Sequence, residues 1–233
     1  ARITFRGKPI QIRVASTDFY FNASEWSISP KRYKIKADKS GNQLSFKMDR
    51  LGYVVIRFSQ DQDFTKRLVL LFEIPEVVPD KIVNIVDEYG IDNSGEKNET
   101  SKIQMALNNI SGSEKSLYFP PGKYKTNKLE FRSNSNIHLA KNARIIADDN
   151  SLISYYSKDK TNINHFILVK DVQNLRISGL GTIDGNGTQI NALSHPEESS
   201  KSRIRLLFIY RSTNVQIEGI ILKDAARWNT HIL

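Results

Sequence analysis

The side chains best equipped for chemistry lie near the end of the chain. Trp228 offers a large amphipathic aromatic face on which a ligand can stack. His231 can hydrogen-bond a polar ligand or stand beside a carboxylate. Arg203, Arg205 and Arg227 carry planar guanidinium forks that grip carboxylates through paired hydrogen bonds. Each residue also has a plain structural reading: a core or coil-stacking Trp, a packed His, an ordinary surface Arg. Both readings stay open on the residues alone.

Hydrolytic chemistry asks for more. Acid–base hydrolysis needs one carboxylic acid to protonate the leaving group and a second carboxylate to activate water. Asp148-Asp149 is an adjacent pair, but it sits in a polar loop ahead of Asn150-Ser151 and reads as a solvated turn. Asp184 reads as a turn residue whose carboxylate bonds local N–H groups. Asp224 could face a groove, but it stands alone. No catalytic residue is assigned. Four scattered histidines and no cysteine give no metal-ligand cluster and no disulfide. The glycines of Gly179-Leu180-Gly181 through Gly187 are a poor dinucleotide fingerprint, because no helical period follows Gly187. They read instead as tight corners needing positive φ. No cofactor is expected. Asn22, Asn98 and Asn186 each head an Asn-x-Ser/Thr triplet, a pattern an Asn-rich chain produces by chance.

The elements that must hold these groups are written in 233 residues, enough for one large domain or two smaller ones. The net charge is +9, divided as +5 in residues 1–80 and +4 in the remainder, so there is no basic tail. A diffuse positive field suits an acidic polymer or simply solubility. No nucleic-acid-binding motif is present, and no apolar run reaches the roughly 20 residues that span a membrane.

Residues 1–78 read as all-β. Short runs rich in β-branched and aromatic residues recur at Arg2–Phe5, Gln11–Val14, Arg32–Ala37, Gln43–Lys47, Tyr53–Phe58 and Arg67–Phe72, separated by Gly- and Pro-containing turns. Many short strands at this spacing predict an antiparallel β-sandwich. Glu73–Asp80, with two prolines, reads as a linker. Residues 79–233 then form a second domain. Ile82–Val86 reads as a strand, Glu88–Asn98 as a polar loop, and Glu99 or Thr100 as a helix start with Thr100 a candidate N-cap. Ile103, Ala106, Leu107 and Ile110 fall on one helical face.

Beyond the helix a pattern repeats. Ser135-Asn136-Ile137-His138-Leu139, Gln173-Asn174-Leu175-Arg176-Ile177 and Thr213-Asn214-Val215-Gln216-Ile217 share one form, with asparagines 38 and 40 residues apart. Short strands lie between them, and no helix. Such units predict a parallel β-solenoid whose coils bury their interiors only by stacking. The helix would cover the first coil, whose strand edges would otherwise be open. The stretch Asn186–Arg203 reads as a long loop.

Several segments resemble one family. Tyr89-Gly90-Ile91-Asp92-Asn93-Ser94-Gly95 with Glu99–Leu107, Leu117–Thr126, and above all Ile177-Ser178-Gly179-Leu180-Gly181-Thr182-Ile183-Asp184-Gly185-Asn186-Gly187 are similar to polygalacturonase-type (family 28) glycoside hydrolases of the pectin-lyase-like β-helix superfamily. Ile220–Asn229 resembles the next coil, except that Ala226-Arg227 precede Trp228 where the family usually has Ser-Pro-x-Trp. The first two segments also open other β-helix proteins, so they speak more to fold than to chemistry. The resemblance covers about residues 82–233.

The resemblance implies a right-handed parallel β-helix behind an N-terminal β-sandwich. It implies a secreted enzyme, extracellular or periplasmic, that hydrolyses a polysaccharide, foremost a pectin-like polygalacturonate. The family's Asn-Thr-Asp and Asp-Asp carboxylates, its Gly-His-Gly and its Arg-Ile-Lys motif are expected after Leu233. Trp228, His231, Arg227 and Arg205 would then stand where the substrate groove begins. An open last coil with Ile232-Leu233 unpaired would favour self-association through that edge. The alternatives are a non-catalytic, tailspike-like binding helix and a lyase or epimerase on the same fold.

Overall fold

The computed structural model describes residues 1–15, 26–57, 67–148, 164–193 and 204–233. The chain is mostly β and divides into two compact units, Ala1–Pro75 and Glu76–Leu233.

The first unit holds two sheets. One has the order β1 (Arg2–Thr4), β7 (Arg67–Glu73), β6 (Gly52–Arg57), β3 (Ser27–Ser29); the other runs β2 (Ile10–Ala15), β5 (Gln43–Met48), β4 (Ala37–Ser40). Alternation decides what each strand buries. In β5, Leu44, Phe46 and Met48 turn inward while Lys47 is exposed. Val54 and Ile56 of β6 and Leu70 and Phe72 of β7 join them in one apolar cluster. Two expectations need correction. The pairing is not wholly antiparallel, because β1 runs parallel to β7, with Ile3 opposite Phe72. The predicted strand Arg32–Ala37 is instead a 3-10 turn, Lys31–Tyr33, ended by Lys34 in the left-handed region. The alternation Tyr33-Lys34-Ile35-Lys36 is real as a pattern but no strand forms there.

The second unit is built from three parallel sheets. The first stacks β8 (Ile82–Asn84), β10 (Ser116–Phe119), β13 (Ser135–Leu139), β16 (Gln173–Gly179) and β19 (Thr213–Ile217). The second stacks β9 (Ser94–Asn98), β11 (Gly122–Thr126), β14 (Ala143–Ala147), β17 (Thr182–Asp184) and β20 (Ile221–Lys223). The third stacks β12 (Leu129–Glu130), β15 (His165–Lys170), β18 (Arg205–Tyr210) and β21 (Thr230–Ile232). The chain visits the sheets in rotation, so each turn after the first adds one strand to each. Inward residues meet their equivalents from the next turn: Leu117, Ile137, Ile177 and Ile217 form one column, and Tyr124, Ile145, Ile183 and Leu222 another. No single turn could bury these side chains, and stacking does so continuously.

The register corrects the repeat read from sequence. Ser135 pairs with Leu175 and Asn136 with Arg176, so the residue equivalent to Asn174 is Asn134. The asparagines that align are Asn134, Asn174 and Asn214, all at left-handed φ of 51°, 56° and 50°. Asn174 Nδ2 donates to Asn134 Oδ1 at 3.0 Å, and Asn214 Nδ2 to Asn174 Oδ1 at 2.8 Å. Asn suits this corner because it tolerates the left-handed region and its amide both donates and accepts. The sequence alignment was two residues out. Since side chains alternate with period two, that slip left the inward face unchanged.

Helix α1 (Ile85–Tyr89) occupies part of the predicted strand Ile82–Val86, and β9 lies inside the predicted loop Glu88–Asn98. Asn84 ends the strand by capping the helix, its Oδ1 accepting from Val86 N at 3.0 Å. Helix α2 (Thr100–Asn109) buries Ile103, Ala106 and Leu107. Thr100 is its first residue and not its N-cap; its Oγ instead accepts from Asn127 N at 2.7 Å and donates to Asn98 Oδ1 at 2.6 Å. Gln104 completes the cover over the third sheet. Its Nε2 donates to Glu130 O and its Oε1 accepts from Glu130 N, both at 2.9 Å. One side-chain amide thus pairs with the edge of β12 as another strand would.

A third helix, α3 (Gly187–Leu193), lies where a loop was expected. A helix therefore does follow Gly187. It leads from β17 in the second sheet to β18 in the third, so the unit is not the βαβ crossover a dinucleotide site requires. The glycines are also explained differently. Only Gly179 has positive φ, at 107°. A Cβ on Gly181 or Gly185 would meet backbone of an adjacent coil, Ala143 O at 2.9 Å or Asp224 O at 2.6 Å, and one on Gly187 would meet Ala225. Close approach between turns, rather than corner conformation, excludes side chains there.

Glu76, read as linker, is engaged by the second unit. Its carboxylate accepts from Lys141 N at 2.9 and 3.1 Å and lies 3.2 Å from His138 Nε2, while His138 Nδ1 sits 3.1 Å from Ser178 Oγ. No helix among the described residues is long and apolar enough to cross a membrane.

Candidate functional site on the third sheet

The third sheet gathers the residues singled out at the chain's end. Register sets His165 opposite Arg205, and Leu168, Phe208 and His231 in one outward row. Trp228 is positioned by backbone rather than by its own side chain. Its carbonyl accepts from Leu206 N at 2.9 Å, and Arg227 N donates to Ile204 O at 3.2 Å, so the turn before β21 is laid along the start of β18.

The side chains then converge. Trp228 is 45% exposed, and its ring lies 5.0 Å from the Arg205 guanidinium and 4.8 Å from that of Arg227. His231 meets Trp228 edge-on at 4.5 Å between centroids and lies 5.1 Å from Phe208. Arg205 Nε donates to His231 Nδ1 at 2.9 Å, which fixes that nitrogen as the acceptor. Arg205 Nη1 reaches Asn164 O at 3.4 Å. Although Arg205 is only 8% exposed, no carboxylate among the described residues pairs with it or with Arg227. Burial, and next repulsion from Arg227, lower the Arg205 pKa from its ordinary value. The guanidinium stays charged in any case. The arrangement is a half-exposed indole with two cations close to its ring, suited to a polar ligand carrying negative charge.

Arg205, Arg227, Trp228 and His231 are therefore neighbours, while Arg203 and His195 lie outside the described residues. Phe208 and His165 were missed. Arg205–Tyr210 is apolar on both faces after its first residue, so no alternation marks which side chains point outward.

The carboxylates are occupied elsewhere. Asp184, with no exposed side-chain surface, accepts from Asn186 N at 3.0 Å, as its reading as a turn residue anticipates, and also pairs with Arg144 at 2.5 Å and Lys223 at 2.8 Å. Asp224 does not face a groove alone; its Oδ1 accepts from Thr188 N at 3.0 Å and Thr188 Oγ at 2.8 Å, holding the start of α3. Asp148 accepts from Asn98 Nδ2 at 2.8 Å, and Asp149 lies outside the described residues. Asn98 and Asn186 spend their amides on bonds between turns, to Asn127, Asp148 and Ala147, while Asn22 is not among the described residues. Among the described residues no cluster of His, Asp and Glu is arranged to hold a metal ion.

Three parallel sheets stacked turn upon turn, with a helix over the first, define a parallel β-helix. The chain belongs to the rhamnogalacturonase A/epimerase, pectate lyase-like family, whose model matches residues 82–230. That agrees with the resemblance to family 28-type hydrolases read from the motifs. It is 26% identical over 151 residues to an iota-carrageenase of Zobellia galactanivorans, a match that takes in 60% of this chain and 27% of the relative, so it spans about a quarter of that protein's length. Among solved structures it is similar to one from Parabacteroides merdae assigned provisionally to the glycosyl hydrolases, with 24% identity and a TM-score of 0.53 over 64% of this chain and 68% of that one. It also matches an exopolygalacturonase of Thermotoga maritima, with 19% identity and a TM-score of 0.48 over 64% of this chain and 43% of that one.

Proposed function

We propose that the chain is the N-terminal part of a secreted glycoside hydrolase that cleaves an acidic polysaccharide, with a β-sandwich ahead of a right-handed β-helix. Arg205, Arg227, Trp228 and His231 hold the substrate on the third sheet. The carrying observation is the half-exposed Trp228 beside two guanidinium groups that no described carboxylate neutralises. A sugar ring satisfies the aromatic face, and its carboxylate or sulfate satisfies the cations. The general acid and base are the family's carboxylates, which this reading places on later coils. Pectin-like polygalacturonate is the first substrate to test, and the carrageenase relative makes a sulfated galactan the second.

The test is reducing-sugar release from polygalacturonate, iota-carrageenan and a neutral glucan by the protein carrying these coils. Release from an acidic polymer, weakened by Arg227→Ala and Trp228→Ala through a raised KM, supports the reading. No release from any of the three overturns it. Residues 1–233 alone are expected to release nothing. The family description also admits lyase chemistry, and a rise in ultraviolet absorbance from an unsaturated product would assign that reaction instead.

A further inference from the structure

A cleft of about 390 Å³ opens in the first unit, where the 3-10 turn Lys31–Tyr33 meets β5. Local sequence builds it. Phe46 and Met48 turn toward the core and leave Lys47 outward. Lys34 takes a left-handed conformation directly after the turn, and the chain that follows brings Lys36 to the same cleft. Tyr33 packs partly against the unit's core, and the Arg32 and Arg50 guanidinium groups lie 5.5 and 5.7 Å from its ring centroid. Four basic side chains, Lys34, Lys36, Lys47 and Arg50, line the cleft against two acids, Asp38 and Asp49. Asp49 is already taken: Arg50 donates to both its oxygens, at 2.7 and 3.2 Å, and holds its carboxyl below the usual range. The three lysines make no ion pair with any described residue.

We infer that this cleft is a second binding site for an anionic oligosaccharide, with its carboxylate or sulfate groups on the lysines and a sugar face against Tyr33. The inference rests on the reading that the β-helix acts on an acidic polymer, and it gives the first unit the task of holding that same polymer. The lysines are exposed, so each contact is individually weak and screened by salt.

The experiment is calorimetric titration of the whole chain with tetragalacturonate and, in a parallel arm, with an iota-carrageenan tetrasaccharide. The variants are Lys34→Ala/Lys36→Ala/Lys47→Ala and, separately, Arg227→Ala. The arm that binds identifies carboxylate or sulfate as the recognised group. The expected result is two classes of site in the parent. The triple variant loses one class, at least tenfold in affinity, with an unchanged melting temperature, and raised salt weakens the parent in the same direction. If the triple variant binds within twofold of the parent while Arg227→Ala does not, the cleft inference fails and the reading of the third sheet stands. If neither tetrasaccharide binds the parent, both fail together. Equal binding of neutral maltotetraose at the cleft overturns the charge argument.

Discussion

Gln104 is the residue on which the cover of the third sheet turns. Its amide makes a reciprocal pair of hydrogen bonds with Glu130, both at 2.9 Å, standing in for the strand that would otherwise extend β12. Replacing Gln104 by Ala removes both. A net hydrogen bond is worth about 0.5–1.5 kcal/mol, and a polar group left unpaired costs about 1–3 kcal/mol when buried. Glu130 is only half-buried, so water recovers part of that cost, and the expected loss is about 2 kcal/mol. Gln104→Glu separates the two halves of the pair. A carboxylate can still accept from Glu130 N, but it faces Glu130 O with an oxygen where an N–H stood, so it should destabilise nearly as much at neutral pH. Urea unfolding followed by tryptophan fluorescence would measure this in a Trp26→Phe background, where Trp228 reports on the second unit alone. Amide exchange at Glu130 should accelerate in parallel. A Gln104→Ala variant within about 0.5 kcal/mol of the parent, a value typical of featureless surface changes, with unchanged exchange at Glu130, would refute the account of how the helix closes the sheet.

Three further outcomes follow from the same geometry. Asp184→Asn should cost about 1–3 kcal/mol, because it takes the buried carboxylate from Arg144 and Lys223, whose partial exposure lets water recover the rest; a loss in unfolding free energy smaller than half that would show the ion pairs to be dispensable. Asn174→Ala should be worse than Asn174→Gly by about 1 kcal/mol. Both lose the ladder to Asn134 and Asn214, but only Gly keeps the left-handed corner without strain; equal melting temperatures would count against the corner argument. Glu130 has its carboxyl pKa lowered, first by the Lys128 hydrogen bond. A depressed carboxyl contributes stability above its unfolded value, and that contribution disappears as pH falls through the folded value. Glu130→Gln should therefore differ from the parent at neutral pH and converge with it in acid, as thermal melts from pH 7 to 3 would register.

Much of the β-helix was legible because its stacking demands period. The columns Leu117-Ile137-Ile177-Ile217 and Tyr124-Ile145-Ile183-Leu222 come from residues that recur about once per turn, and any reading that respects alternation finds their inward face. Register was harder. Asn134 and Asn136 each follow a serine, and only the folded chain, through strand register, the left-handed φ of Asn134 and the bond from Asn174, tells them apart. Helix α1 was hidden for a related reason. Ile82, Val83, Ile85 and Val86 are all β-formers, and the strand stops because the Asn84 side chain offers the backbone a better partner two residues on. Helix α3 follows the same logic at longer range, since the side chain that holds its start, Asp224, comes from the next turn.

The site was legible as residue types and not as a surface. Trp, His and Arg advertise themselves in a sequence, and Arg205 and His231 are 26 residues apart yet hydrogen-bonded. Nothing in their spacing announces this. It follows from the turn between β18 and β21, which returns the chain to the same sheet one level on. The same rule explains why the acidic candidates read from sequence do other work. Asp184 stands opposite Lys223 in register, and Arg144, which pairs with Thr182 two residues earlier, reaches it from the strand on the other side, so stacking consumes its charge. In a solenoid, a polar residue facing its equivalents in neighbouring turns is drawn into a ladder, and one beyond the ladders is not. Arg227 and Trp228, in the turn before β21, are of the second kind. That distinction, rather than residue type, makes the third sheet the place to look for substrate.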